Sequence, residues 1–191
     1  MARSLFSLLC LVAPLPALLP APARAAEVVV AIGASNTSGF GVGEAAAYPA
    51  RLEEILRGCG RDVQVVNAGV PFETTNGMLS RIDSDVPDGT RAVIIQPGGN
   101  DRRFFVSRER RAANIAAMTA RLHQRGIPAI VYDPVFPPDA YQWDHIHLTA
   151  QRHALIAQEL APQVGRLLAR GTAKVHACAG ERPAGHAHRS R

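Results

Sequence analysis

The sequence predicts an α/β fold, a three-layer α/β/α sandwich built on a short parallel sheet of about four strands. Two observations carry this. Four short apolar runs, 28–32, 63–66, 92–95 and 129–132, are nearly continuous in Val, Ile and Ala rather than alternating with polar residues. Strands covered on both faces read this way, and parallel sheets are covered on both faces. Between the runs lie segments with helical spacing, and strand–helix alternation is the signature of parallel sheets flanked by helices.

The helical segments have recognisable ends. One is expected over 48–57, with Pro49 suited to a first turn and Gly58 and Gly60 placed to stop it. A shorter one follows Thr75 through Met78, Leu79 and Ile82. A third runs from Ser107, an N-cap residue type, to Arg125, with Ile115, Met118 and Leu122 on one face. The last opens after Thr149 and carries Leu155, Ile156 and Leu160 up to Pro162, where a kink or break is expected.

Outside this core the chain has two ends of different character. Met1-Ala2-Arg3, an apolar stretch around 5–19 and Ala23-Arg24-Ala25 read as a secretory signal, residues 1–25, cut after Ala25. Pro14, Pro16 and Pro20 interrupt that stretch too often for a stable membrane anchor. Residues 171–191 mix Gly, Ala, Pro, Arg and His without apolar periodicity and read as a flexible basic tail. Its His176, His186 and His188 lack metal-ligand spacing.

The net charge of +5 belongs to these ends, since the domain expected over 26–170 is neutral by formal count. That removes the argument for nucleic-acid binding. Arg102, Arg103, Arg108, Arg110 and Arg111 form a local basic run, read as a solvated helix start ahead of an anion site. Of the cysteines, Cys59 and Cys178 could pair in an oxidising compartment, or stay as thiols.

In parallel α/β sheets, ligands gather at the carboxyl ends of strands. After the first strand comes Gly33-Ala34-Ser35-Asn36-Thr37-Ser38-Gly39-Phe40-Gly41. Its glycines do not match the dinucleotide fingerprint, and no Gly-Lys-Ser/Thr is present, so phosphate binding rests on the turn alone. The second strand leads into Asn67-Ala68-Gly69, and the third into Gly98-Gly99-Asn100-Asp101. Near the far end stands Asp144-His145-Ile146-His147. A spacing of three lets one turn bring Asp144 beside His147, so the carboxylate orients an imidazole that can take a proton from a hydroxyl. A metal reading of these residues lacks further ligands.

Taken together, the four segments resemble the SGNH (GDSL-like) serine hydrolase family, in the family's order and over nearly all of 26–170. The stretch Asp62–Val70 is similar to the arylesterase and periplasmic thioesterase/lysophospholipase branch. The resemblance implies a flavodoxin-like fold and an exported serine esterase. Ser35 would be the nucleophile, with Asp144 and His147 as its base pair. The backbone N–H groups of Ser35 and Gly69 and the Asn100 amide would form the oxyanion hole. No metal or cofactor is implied, and the partner is a small acyl ester: an ester, thioester, lysophospholipid or O-acetylated sugar. A carbohydrate O-acetyl esterase of the same fold and a catalytically silent α/β binding module are the alternatives.

This chain departs from the family pattern twice. Ala34 replaces the usual aspartate of Gly-Asp-Ser-Leu, and about a dozen residues separate Tyr132 from Asp144, where the family generally fits another helix and strand. A shallower site is expected in consequence.

Overall fold

The computed structural model describes residues 25–170. Residues 1–24, nearly all of the expected signal segment, and residues 171–191, the expected tail with Cys178, lie outside them. Four parallel strands form one sheet in the order β2-β1-β3-β4: β1 (Glu27–Gly33), β2 (Val63–Gly69), β3 (Ala92–Gln96) and β4 (Ala129–Val131). The register pairs Gly33 with Gly69 across β1–β2, and Gly33 with Gln96 across β1–β3.

Alternation along each strand decides which helices it meets. Val29, Ala31, Val63, Val65, Ala92 and Ile94 face one layer. That layer holds α2 (Tyr48–Gly58) and α6 (Ala150–Ala169), whose Leu52, Leu56, Ile156, Leu160 and Val164 are buried against the sheet. Val30, Ile32, Val93 and Ile95 face the other layer, where α3 (Thr75–Asp85) and α5 (Arg108–Gln124) bury Met78, Ile82, Met118 and Leu122. Each such aliphatic side chain contributes roughly 1.5–3 kcal/mol by leaving water.

Caps follow the sequence closely. Ser107 Oγ accepts the Arg110 N–H at 3.1 Å, and Thr149 Oγ1 accepts the Arg152 N–H at 3.2 Å. Three features differ from the sequence expectation. First, β2 runs on through Asn67-Ala68-Gly69, because these residues still pair with β1. Second, a helical turn, α4 (Asn100–Arg103), opens directly at Asn100.

Third, α6 continues through Pro162. Pro162 and Gln158 are both exposed, so water can satisfy the carbonyl that proline leaves unbonded. Ala161, Val164 and Leu168 meanwhile hold the helix on both sides of Pro162 against the core. The connection from β4 to α6 contains only a short 3₁₀ turn (Pro138–Ala140), with no added helix or strand.

One buried imidazole ties the first layer together. His153 of α6 is fully buried, and its Nδ1 accepts the N–H of Tyr48, the first residue of α2. Nδ1 must therefore be unprotonated, and burial pushes the His153 pKa down to about 4. An unfolded histidine titrates near 6.5, so the unfolded chain takes up a proton first as pH falls. Stability is full above about pH 6.5 and declines toward pH 4, by up to about 3 kcal/mol from this group alone. Urea midpoints measured between pH 6.5 and 4.5 are expected to fall in the wild type and to fall less in His153→Gln, which can still accept the Tyr48 N–H; equal slopes would remove His153 from the account.

Candidate active site

The strand order reverses direction between β1 and β3, and the connections leaving these two strands part there to open a crevice. Ser35 and Asn100 arrive at it from either side: Ser35 begins the helical turn α1 (Ser35–Ser38) after β1, and Asn100 begins α4 after β3. Both line an open depression of about 800 Å³ with Gly98, Arg102, Phe136 and Tyr141. Ser35 is mostly buried, and its Oγ makes no hydrogen bond among the described residues.

The Ser35 turn sits where it does because two strand ends carry no side chain. A Cβ on Gly69 would come within 2.2 Å of the Ser38 nitrogen, and one on Gly33 within 2.0 Å of Thr37 Oγ1. α1 therefore rests directly on β1 and β2. Thr37 then donates to Gln96 Oε1 at 2.7 Å, fixing α1 to the end of β3 as well. Ala34, where a carboxylate was expected from the family pattern, is buried and packs into the apolar cluster on the α3/α5 side.

Residues 140–149 form a tight loop. Tyr141 and Leu148 bridge antiparallel, the Gln142 N–H donates to the His147 carbonyl at 2.7 Å, and Leu148 is anchored in the core. Within it, Asp144 Oδ1 accepts the N–H groups of Ile146 and His147 at 3.0 Å each, and Asp144 Oδ2 meets His147 Nδ1 at 2.5 Å. The two backbone N–H groups, His147's first, and then the imidazole hold the Asp144 carboxyl down at about 2. Asp144 is ionised at neutral pH, and it is paired with His147 rather than His145. His145 instead takes a left-handed φ of 55° at the turn and lines the depression. The Phe40 ring lies against the His147 imidazole, centroids 4.4 Å apart at 31°.

Two residues that sequence reasoning did not single out join this loop to the Ser35 turn. Asn36, directly after Ser35, accepts the Leu148 N–H at 2.9 Å and donates to the Ile146 carbonyl at 3.4 Å, so it grips both neighbours of His147. Gln142 Nε2 donates to the Phe40 carbonyl at 3.3 Å and the Leu148 carbonyl at 2.9 Å. An amide next to Ser35 was visible in the sequence, but its partner more than a hundred residues away was not.

The groups expected to form an oxyanion hole are less uniform than the resemblance implies. Asn100 Nδ2 donates to the Glu73 carbonyl at 2.9 Å, which leaves its second N–H for the depression. The Gly69 N–H is given to Asn67 Oδ1 at 3.1 Å, so in this state it is not an open donor. What demands glycine at 69 is the backbone of α1 lying against it.

A family model matches residues 31–187, four-fifths of the chain and all four of the segments above. The chain belongs to the GDSL-like lipase/acylhydrolase family. Esterase TesA of Pseudomonas aeruginosa is 27% identical over 116 residues, which is 60% of this chain and 58% of the relative. The arylesterase of Vibrio mimicus is 26% identical over 125 residues, 63% and 61% of the two chains. The chain thus spans about three-fifths of the length of the curated relatives it matches. A crystal structure of TesA superposes with a TM-score of 0.68 at 19% identity, covering 74% of this chain and all of the other, a likeness of fold.

Within this GDSL-like frame the Asn36 contacts make a checkable claim. Asn36→Ala is expected to lower kcat for p-nitrophenyl acetate by about 10- to 100-fold through misplacement of His147, with KM and the circular dichroism spectrum little changed. Unchanged kcat would mean that the loop holds its place without Asn36.

Proposed function

We propose that this chain is an exported serine esterase that cleaves acyl esters through an acyl-Ser35 intermediate. The observation that carries the reading is the ionised Asp144 carboxylate 2.5 Å from His147 Nδ1, in a loop that Asn36 fastens to the nucleophile turn. A carboxylate on Nδ1 fixes the tautomer that leaves Nε2 as the base and stabilises the imidazolium formed when a proton arrives. The Phe40 ring limits rotation of the imidazole.

In the proposed cycle, His147 Nε2 takes the Ser35 hydroxyl proton as Ser35 Oγ bonds to the carbonyl carbon. The electron pair displaced onto the carbonyl oxygen is met by the Ser35 N–H and the free N–H of Asn100. Collapse expels the alkoxide, which takes the proton from His147. Water then repeats the addition, and the acid leaves with Ser35 restored. The Gly69 N–H joins the oxyanion donors if Asn67 turns its amide away. Thioesters and lysophospholipids can pass through the same intermediate. The periplasm is the proposed location, in keeping with the signal segment read in residues 1–25. Among the described residues no helix is long and apolar enough to cross a membrane.

The acyl group would lie in the depression beside Phe136 and Tyr141, whose far rim, Val135, is 99% exposed. A wall that is open on one side stops rewarding added methylenes early, since each is worth about 0.8 kcal/mol only when buried.

Three measurements test the reading. A fluorophosphonate probe should add one adduct mass to the wild type and none to Ser35→Ala, whose ester turnover should fall by about 10⁴ or more. Turnover within tenfold of the wild type would end the assignment. Asn100→Ala should lower kcat roughly 10²- to 10³-fold with KM nearly constant, as loss of one oxyanion donor does; a change confined to KM would make Asn100 a binding residue only. Across C2 to C16 p-nitrophenyl esters, kcat/KM should level off by butyryl, and a steady rise through C12 would indicate a longer acyl channel.

A further inference from the structure

Ten large apolar side chains are notably exposed among the described residues, and eight of them lie in the four connections that leave the carboxyl ends of the strands. Scattered exposed apolar residues need no explanation, but concentration around one pole does. The segment after β3 is the most distinctive part of that pole. Phe104 and Phe105 stand at its tip, Phe105 97% exposed, between Arg102-Arg103 on one side and Arg108 and Arg110 on the other.

The charges on this segment are also unspent. Nine arginines elsewhere, among them Arg81 and Arg125, have a carboxylate within salt-bridge distance. Arg102, Arg103, Arg108 and Arg110 have none among the described residues, and Glu109 is the one exposed acid in their run. Nor is the tip a loose end. The Phe104 N–H donates to the Asn100 carbonyl and the Val106 N–H to the Asp101 carbonyl, both at 2.8 Å, while buried Asp101 is held by the Thr75 hydroxyl at 2.6 Å.

We propose that the Arg102–Arg110 turn is a peripheral docking surface for an anionic lipid bilayer. Phe105, helped by Phe104, enters the headgroup–acyl boundary, and the four arginines lie on lipid phosphates. An aromatic pair flanked by arginines is the composition that such an interface selects, apolar contact with anionic surroundings. Arg102 and Arg103 also line the depression that holds Ser35, so docking would turn the mouth of the site toward the membrane. Trp143, 89% exposed on the β4–α6 connection at the same pole, would meet the surface next.

Docking does not require hydrolysis, so full-length Ser35→Ala protein serves as the background and separates this inference from the esterase reading. Its sedimentation with phosphatidylcholine vesicles, with and without phosphatidylglycerol, reads the partition directly. Binding is expected with phosphatidylglycerol and to weaken with added salt. Adding Arg102→Ala and Arg103→Ala should lower the partition about 25-fold, at about fivefold per arginine, and Phe105→Ser about tenfold. Arg166→Ala with Arg170→Ala, at the opposite end of α6, removes the same charge and should leave it unchanged. Equal loss in that control, equal binding to both vesicle types, or no binding would overturn the proposal. So would a concentration-dependent dimer that Phe105→Ser dissolves without any vesicle binding, which would assign the surface to a second copy of the chain.

Discussion

The site depends on two strand ends that carry no side chain. At Gly69 the backbone of the Ser35 turn, and at Gly33, its partner across β1 and β2, the Thr37 side chain of the same turn, lie so close that a methyl group at either position would overlap α1. Gly33 also aligns with Gln96 of β3, whose side chain takes the Thr37 hydroxyl. Ser35 is thereby located by three strands rather than by its own short turn. Arg81 reinforces the arrangement from α3, donating to the Ala68 carbonyl at 2.8 Å and the Gly33 carbonyl at 3.3 Å while paired with Glu73. A preorganised site of this kind needs its groups held by rigid elements, and the sheet supplies that rigidity.

Against this fixed half, the base half is carried on a loop. Residues 140–149 have little regular structure, yet Leu148 is locked into the core and Asp144 organises the turn through two backbone N–H groups as well as the imidazole. One carboxylate therefore shapes the loop and orients the His147 imidazole together. The short path from β4 to α6 leaves no cover over the depression, which is why apolar side chains such as Val135 and Trp143 remain in solvent.

Much of this was legible in the sequence. The four strands and the helices between them follow from apolar run length and spacing, and Ser107 and Thr149 cap as their residue types suggest. Asp144 and His147 were legible as a pair because a spacing of three is local chemistry. Long-range partners were not. Nothing in the string says that Asn36 reaches Ile146 and Leu148. The continuation of α6 through Pro162 was hidden for a related reason: local propensity opposes it, and tertiary packing on both sides overrides that preference.

The contacts of Asn36 span more than a hundred residues, from the end of the first strand to the start of the last helix. Loop closure over such a separation is entropically unfavourable until the intervening chain is ordered. The contact between the Ser35 turn and the 140–149 loop is therefore favoured once the sheet has assembled and α6 has docked. A chain without that contact would keep the Ser35 turn on its strands while the His147 loop lost its Asn36 anchor. On the esterase reading proposed above, reactivity at Ser35 would in this sense be a readout of completed topology.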